Sequence, residues 1–288
     1  MHKAGVFMIH GLGGTALDLG SMHKRLRKAG FDTCSVTLPG HGSRPEHLRT
    51  VRAGHWLEAV RSEYRKLRQE YDVLHIMGMC MGALLAVELA KVERHTRGKL
   101  VALAAPLFID GWATPWYRAA RHVLYRLPCL ATRIRVMEDE PYGIKNERVR
   151  AIVRSKLARG EKFHYRWVPL SCIREVDRLR ARVRKDLGDI ACETLVIHAR
   201  NDELTSLRSA RYLVAQIGEE AQGGLARMVV LENSYHMVCL DNDRDTVTQN
   251  VMEFLGPRAG RFSYVPAETE PGTASYCGPY SSLASVVG

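Results

Sequence analysis

The 288-residue sequence predicts an α/β fold, with a mostly parallel sheet covered by helices on both faces. Short apolar runs alternate with amphipathic segments of helical length near both ends of the chain. An arginine-rich segment interrupts this alternation in the middle of the chain and carries a helical pattern of its own. We therefore expect one sheet domain with a helical cap inserted into it.

The first part of the chain contains four predicted strands, each followed by a turn-rich loop. They lie at residues 6–9, 31–36, 73–77 and 100–104. The predicted helices between them cover residues 18–29, 54–70 and 83–90. Strands that alternate with helices of this length favour βαβ units, so we expect these strands to be parallel.

The alternation resumes after the insertion. Predicted strands at 194–198 and 228–231 are followed by predicted helices at 206–217 and 246–255. The core domain is therefore expected to comprise residues 1–111 and 188–258, and the basic helical cap residues 112–187. We expect residues 259–288 to form a disordered tail, because they are rich in Ser, Gly, Pro and small residues and contain no Lys or Arg beyond Arg261.

The net charge of +11 is concentrated in the predicted cap. Residues 112–187 contain 19 Lys and Arg but only 8 Asp and Glu, so the remainder of the chain is neutral. A basic surface favours anionic partners, here an acidic acyl carrier protein or an anionic membrane surface. An ordinary solvated helix face is the alternative. Nucleic acid is not expected, since no recognition motif accompanies the charge.

The cysteines and the hydropathy favour a cytoplasmic protein, which can also lie peripherally at a membrane. The seven cysteines are scattered and include no C-x-x-C pair, which indicates reduced thiols. No apolar run approaches the roughly 20 residues that span a bilayer. The apolar start of the chain is too short for a secretory signal. We also expect no metal ion or organic cofactor.

The sequence Gly78-Met79-Cys80-Met81-Gly82 is the central motif of the chain. It joins a predicted strand to a predicted helix, which is the context of a nucleophile elbow with cysteine at the reactive position. Side chains at Gly78 and Gly82 would collide with the neighbouring backbone of such a turn. The alternative is that Cys80 is a small buried residue with a structural role and no catalytic one.

Two further reactive residues follow predicted strands. Asp202 comes after the strand that ends at His198, and His236 comes after the strand that ends at Leu231. Parallel strands place such residues at one edge of the sheet. The order predicts a Cys–His–Asp triad, in which His236 takes the thiol proton and Asp202 fixes its tautomer. Rival acids lie nearby at Glu203, Asp241 and Asp243.

These motifs make the chain resemble compact bacterial carboxylesterases and monoacylglycerol lipases of the α/β-hydrolase superfamily. The matching motifs are His10-Gly11-Leu12-Gly13-Gly14, Pro39-Gly40-His41-Gly42, Ala105-Pro106, Ala199-Arg200-Asn201-Asp202 and Ser234-Tyr235-His236. The resemblance covers residues 4–110 and 190–256 well. It implies an α/β-hydrolase fold and an oxyanion hole formed by the backbone N–H groups of Leu12 and Met81. We expect His10 and His41 to organise loops through side-chain hydrogen bonds.

Cys80 departs from these esterases, which have serine at that position. A free thiol is mostly protonated at neutral pH, so we expect His236 and the helix N-terminus to favour the thiolate. Dienelactone hydrolases and polyhydroxyalkanoate synthases, which also use cysteine, are weaker resemblances. An engineered replacement of serine is a further alternative.

Three functions therefore stay open at the level of sequence. The first is a hydrolase of acyl esters or thioesters that forms an acyl-Cys80 intermediate. The second is an acyltransferase that passes the acyl group from coenzyme A or a carrier protein to an alcohol or an amine. The third is a non-catalytic protein that binds acyl ligands.

Overall fold

The structure is a computed structural model that describes residues 3–114, 121–161, 164–217 and 224–256. The predicted disordered tail at 259–288 lies outside these residues. Within them, no helix is both long enough and apolar enough to cross a membrane.

The described residues contain eight strands and nine α-helices. The strands are β1 (Ala4–Ile9), β2 (Asp32–Ser35), β3 (Val73–Met79), β4 (Leu100–Leu103), β5 (Arg135–Met137), β6 (Trp167–Pro169), β7 (Thr194–Ala199) and β8 (Ala226–Leu231). The helices are α1 (Met22–Lys28), α2 (Ala53–Glu70), α3 (Met81–Val92), α4 (Arg121–Leu124), α5 (Pro128–Arg133), α6 (Glu147–Ala158), α7 (Leu170–Val183), α8 (Leu207–Gln216) and α9 (Arg244–Leu255). The predicted α/β fold is confirmed.

Six strands form one sheet in the order β2-β1-β3-β4-β7-β8, and every neighbouring pair in it is parallel. Helices cover both faces, as the apolar runs predict. One face packs mainly against α2, α3, α7 and α8, and the other against α1 and α9. Burial on both faces explains why the inner strands β1, β3, β4 and β7 are largely apolar and do not alternate, whereas the edge strand β2 is polar and partly exposed.

The strand order reverses direction at β1. The chain passes from β1 outward to β2 and then returns to form β3 on the other side of β1. In open α/β sheets this reversal opens a crevice at the carboxyl ends of the two central strands. The loops that follow β1 and β3 therefore meet at the place where such folds bind ligands.

The predicted helix at residues 18–29 is interrupted. A 3₁₀ turn covers Ala16–Leu19, and α1 begins only at Met22. Gly20 lies between them at a φ of 55°, where a Cβ would come within 2.5 Å of the Cys239 carbonyl oxygen. The close approach of the Cys239 backbone requires glycine, and this tertiary contact breaks the helix.

The predicted cap contains helices α4, α5 and α6, together with a feature that the sequence analysis missed. Strands β5 and β6 pair antiparallel in a separate two-stranded sheet. Each strand has only three residues, which is too short to give a periodic pattern in the sequence.

Helix α7 belongs to the range predicted as cap but packs in the main core. Its side chains Cys172, Val176, Leu179 and Val183 lie in the same apolar cluster as α3. The division between core and cap at residues 111 and 187 stays a prediction.

Candidate active site

Cys80 lies in the sharp turn between β3 and α3. Its backbone has a φ of 56° and a ψ of −124°, a conformation that L-residues rarely adopt, and its side chain is partly buried. A Cβ at Gly78 would lie 2.1 Å from the Gly82 oxygen, and a Cβ at Gly82 would lie 2.1 Å from the Ile9 oxygen. The predicted collisions at both glycines are confirmed, and they hold Cys80 at the strained tip of the turn.

Asp202 and His236 meet at the same edge of the sheet, although 34 positions separate them. The His236 Nδ1 lies 2.7 Å from the Asp202 Oδ2, and both residues are buried. The other carboxylate oxygen of Asp202 accepts the amides of Leu204 and Thr205 at 2.9 and 3.0 Å. These bonds fix the carboxylate, so that Asp202 can orient the imidazole.

The buried pair shifts both of its pKa values toward the charged forms. Burial acts to lower the pKa of His236, but the Asp202 charge, the nearby Cys80 thiol and the hydrogen bond with Asp202 raise it well above 6.5. Burial acts to raise the pKa of Asp202, but the His236 charge and hydrogen bond hold it below its usual range. An imidazolium is therefore stable at this position.

Cys80 completes the group on the opposite side of the imidazole. The His236 Nε2 is buried, and within the described residues it has no hydrogen-bond partner of standard geometry. The Cys80 thiol is nonetheless close enough to raise the pKa of His236. The unpaired nitrogen is thus free to exchange a proton at the sulfur.

The three rival acids have different roles in the fold. Asp241 is completely buried and accepts four backbone amides, those of Lys145, Asn146, Tyr235 and Asn242. Asp243 accepts the amide of Asn233 and the hydroxyl of Ser234. Both carboxylates bind the loop that carries His236, whereas the imidazole ring of His236 contacts Asp202.

Glu203 lies directly beside the pair. Its Oε2 accepts the backbone amide of His236 at 3.0 Å, and burial raises its pKa to about 7. Glu203 therefore holds the main chain of His236 and titrates near neutral pH. The sequence analysis considered it only as a rival acid.

The segment His10–Gly14, here called the oxyanion loop, follows β1 and passes beside Cys80. A Cβ at Gly11 would lie 3.2 Å from the Cys80 Cβ. The amides predicted to bind the oxyanion belong to Leu12 in this loop and to Met81 in the first turn of α3. Among the described residues, neither amide donates a hydrogen bond, so both are available to a ligand.

Two imidazoles fasten this loop. The His10 Nε2 accepts the Leu38 amide at 3.2 Å, so the protonated Nδ1 donates to the Gly11 carbonyl at 2.8 Å. The His41 Nε2 accepts the Gly13 amide at 3.0 Å. Burial lowers the pKa of His10 to about 3 and that of His41 to about 4, so both rings stay neutral. Their predicted role as loop organisers is confirmed.

Contacts from the predicted cap segment reach the same loop. The Tyr165 amide donates to the Gly13 carbonyl at 2.7 Å, and the His164 imidazole packs against the Gly13 backbone. A cavity of about 170 Å³ adjoins this contact, with Thr15, Ser43 and Trp167 in its lining. No motif in the sequence marks His164 or Tyr165 as functional residues.

Within the described residues, no group of three His, Cys, Asp or Glu side chains is placed to hold a metal ion.

Comparison with known proteins places the chain among hydrolases. The model of the family described as Hydrolase_4, serine aminopeptidase S33, matches residues 1–243. A thermostable monoacylglycerol lipase from Bacillus sp. (strain H-257) is 24% identical over 256 residues, which cover 89% of this chain and 92% of the lipase. A carboxylesterase from Bacillus subtilis (strain 168) is 24% identical, covering 87% of this chain and 91% of the esterase.

Solved structures show the same fold. A structure from work on the metagenome-derived lipolytic enzymes LipS and LipT has a TM-score of 0.74 and 22% identity, covering 88% of this chain and 94% of its own. A soluble variant of monoglyceride lipase from Saccharomyces cerevisiae, in complex with a substrate analog, has a TM-score of 0.73 and 13% identity. That match covers 88% of this chain and 86% of the lipase.

Proposed function

Because this chain belongs to the Hydrolase_4 family, serine aminopeptidase S33, we propose that it hydrolyses carboxylic esters or thioesters through an acyl-Cys80 intermediate. One observation carries the proposal. The buried imidazole of His236 is bound to Asp202 through Nδ1, while its unpaired Nε2 lies beside the Cys80 thiol. The similarity to a monoacylglycerol lipase and a carboxylesterase supports esters as substrates.

The first half-reaction forms the acyl enzyme. His236 takes the proton of the Cys80 thiol, and the sulfur attacks the carbonyl carbon of the substrate. The carbonyl oxygen becomes an oxyanion, which the amides of Leu12 and Met81 stabilise. When the carbon–heteroatom bond breaks, the imidazolium of His236 gives its proton to the departing alcohol or thiol. Asp202 stabilises the imidazolium throughout.

The second half-reaction releases the acid. His236 takes a proton from a water molecule, whose oxygen attacks the carbonyl carbon of acyl-Cys80. The same two amides stabilise the second oxyanion. The carbon–sulfur bond then breaks, and Cys80 leaves as a thiolate that recovers its proton from His236. The products are one carboxylic acid per ester or thioester and the enzyme in its starting form.

Transfer to an alcohol or amine is the second candidate, and the identity of residue 80 favours it. Acyl-Cys80 is itself a thioester, which reacts readily with nucleophiles other than water. An acceptor held in the crevice would replace water in the second half-reaction, and its acyl derivative would be the product.

The test is intact-mass spectrometry after incubation with a short p-nitrophenyl ester and, separately, with an acyl-coenzyme A. The measurement uses a Cys129→Ser background, because Cys129 is exposed and can react without catalysis. We expect one acyl adduct that is absent after Cys80→Ala. If neither donor gives an adduct, the proposal is wrong and a non-catalytic acyl-binding role takes its place.

Replacing the nucleophile separates hydrolysis from transfer. Cys80→Ser removes the thiol that helps to raise the pKa of His236, but the Asp202 charge still raises it. A hydroxyl does not give up its proton to a neutral imidazole as readily as a thiol does, so the variant should need a more alkaline pH than the wild type. If ester hydrolysis rises while transfer to an added alcohol falls, the cysteine serves transfer.

We also propose that an anionic membrane surface is a partner of the cap. Exposed apolar side chains, namely Val123, Leu127, Leu130 and Met137, are interspersed along the chain with the exposed arginines Arg126, Arg133 and Arg135. A segment that exposes both apolar and cationic side chains suits the boundary between acyl chains and anionic headgroups. Arg121 does not contribute, because Asp177 binds it at 3.0 Å in a mostly buried ion pair.

Vesicle sedimentation tests this partner. Phosphatidylcholine vesicles should bind the protein more strongly when phosphatidylglycerol is added, and Leu127→Asp together with Arg133→Glu should weaken the binding. Lys24→Glu on α1, an exposed charge reversal elsewhere, is the matched control. Equal binding by all variants would indicate that the basic surface is only a solvated face. If the protein binds an acidic acyl carrier protein but no vesicles, the carrier protein takes the place of the membrane as the partner.

Within the described residues, no two cysteines form a disulfide. Thiols that are not joined in disulfides support a reducing compartment, and we propose the cytoplasm as the location.

A further inference from the structure

The peptide planes around Leu12 determine where its amide points. In a trans peptide the C=O of one residue and the N–H of the next point in opposite directions. The Gly11 carbonyl accepts a hydrogen bond from His10 Nδ1, so the Leu12 N–H is directed the other way. On the other side of Leu12, the Gly13 amide is fixed by His41. The Leu12 carbonyl lies in the same peptide plane as the Gly13 amide and points the opposite way, so a hydrogen bond to this carbonyl holds that plane from its other side.

His164 from the cap supplies that bond. A hydrogen bond with the Leu12 backbone helps to raise the pKa of the His164 imidazole, which indicates donation to the Leu12 carbonyl. The His164 Cε1 lies 3.1 Å from the position of a Cβ at Gly13, where φ is 75°. Glycine at this position lets the imidazole approach the loop backbone directly.

Asp18 fills the space under the same loop. It is 1% exposed, and a Cβ at Gly14 would lie 1.7 Å from its Oδ2, so the carboxylate rests against the loop backbone. A Cβ at Gly11 would lie 3.5 Å from the same oxygen. Asp18 thus touches both ends of the segment whose middle carries the Leu12 amide.

The charges of the two side chains are coupled. Burial acts to lower the pKa of His164, but the charges of Asp18 and Glu138 raise it above 6.5. Burial raises the pKa of Asp18 to about 6, although the His164 charge acts to lower it. Each charge therefore favours the charged form of the other side chain, and a cationic donor makes a stronger hydrogen bond to a carbonyl than a neutral one.

We propose that His164, supported by Asp18, positions the Leu12 amide for the oxyanion, so that the cap takes part in acyl transfer through the oxyanion loop. His164 and Asp18 are positioning residues, since they act through Leu12. The inference rests on the proposed acyl chemistry at Cys80. It assigns a catalytic contribution to the cap segment that carries β6, apart from any contact with substrate.

Two reactions of Cys80 separate this role from a general structural one. Alkylation by iodoacetamide needs the nucleophilic sulfur but forms no oxyanion, whereas acylation by a thioester needs both. His164→Gln and Asp18→Asn should lower the acylation rate about 10- to 100-fold and leave the alkylation rate within about twofold. His122→Gln, an exposed cap histidine on α4, is the matched control and should change neither rate.

The pH dependence gives a second readout. As the pH falls through about 6, Asp18 becomes protonated and the ratio of acylation to alkylation should drop in the wild type. In Asp18→Asn the ratio is low already and should show no step. The other titratable groups that act on the pair are Glu138, His10, His41 and Cys239. Glu138→Gln should retain the step, which would exclude Glu138 as its source. His10, His41 and Cys239 cannot produce the step, because they titrate far from pH 6.

The outcomes are distinct. Equal acylation by His164→Gln and the wild type, or an equal fall in acylation and alkylation by a variant that stays folded, would overturn the inference. An unfolded variant would reveal itself by alkylation of the buried Cys172, Cys192 and Cys239, and Asp18→Asn would then decide the outcome. Alkylation without any acylation in the wild type would refute the proposed function itself.

Discussion

Replacing Asp202 by asparagine should disable the active site without disturbing the fold. The amide oxygen of the introduced side chain can still accept the amides of Leu204 and Thr205, as the Asp202 Oδ1 does. The side-chain NH₂ then faces His236 Nδ1, where the carboxylate oxygen lies 2.7 Å away in the wild type. A donor at that distance requires Nδ1 to accept, so the imidazole proton moves to Nε2. In that tautomer His236 cannot receive the Cys80 proton.

The expected loss in kcat/KM is about 10³-fold, or about 4 kcal/mol of transition-state stabilisation. The same substitution in a serine protease triad costs about 10⁴-fold in kcat. A smaller loss is expected here, because a thiol gives up its proton more easily than a hydroxyl. For the same reason, the deficit should shrink at alkaline pH, where the thiol loses its proton to solvent without help from His236.

The assay is release of p-nitrophenol from a short ester, measured from pH 6 to pH 9 alongside thermal unfolding. Glu203→Gln is the matched control, since Glu203 contacts the His236 main chain and Asp202 contacts its ring. The assignment of Asp202 would be refuted by Asp202→Asn retaining more than about a tenth of the wild-type activity. It would equally be refuted by Glu203→Gln losing as much.

Three further predictions concern stability. The pKa of Glu203 is raised from 4.5 to about 7. The free energy of unfolding of the wild type should therefore fall relative to that of Glu203→Gln as the pH rises from about 4.5 to 7, and the difference should stay constant at higher pH. Urea unfolding at each pH measures this difference. Gly82→Ala should destabilise the fold by at least about 2 kcal/mol, because the introduced Cβ would lie 2.1 Å from the Ile9 oxygen. Gly54→Ala in α2 is the control and should be neutral or stabilising, because no atom lies within 4 Å of its Cβ position. Equal effects of the two substitutions would contradict the steric argument. Asp241→Asn should cost about 2–3 kcal/mol, because an amide group cannot accept all four backbone amides that Asp241 binds; an unchanged urea midpoint would contradict this.

The sequence was most informative where apolar strands end in reactive residues. Buried parallel strands are continuous apolar runs, so β3 and β7 could be located, and with them Cys80 and Asp202 at the following turns. The glycines at 78 and 82 could be interpreted, because the elbow turn has a known steric requirement. His236 followed from the next strand. In each of these cases a local pattern predicts the position.

The cap was less predictable, because its structure depends on contacts that are distant in the sequence. Strands β5 and β6 pair across roughly 30 residues, and neither has a period of its own. Helix α7 has the amphipathic pattern of a surface helix, and only its packing against α3 shows that it belongs to the main core. His164 contacts a loop about 150 positions earlier. Residue spacing within a segment contains no information about such partners.

The histidines of the described site have pKa values shifted in opposite directions, and their partners explain the difference. Burial acts to lower the pKa of every histidine in it. His10 and His41 contact backbone amides and carbonyls, which do not outweigh burial, so their pKa values fall to about 3 and 4. His164 and His236 instead face buried carboxylates, and their pKa values rise.

His198 shows that one carboxylate supports one imidazolium here. Its Nε2 lies 3.7 Å from the Asp202 Oδ2, which acts to raise the pKa of His198. Burial nevertheless lowers that pKa, and the charge on His236 lowers it further. Asp202 therefore stabilises the positive charge of His236, and a second positive charge on the neighbouring His198 is disfavoured. By the same reasoning, the raised pKa of His164 depends on other carboxylates, which are Glu138 and, beneath the oxyanion loop, Asp18.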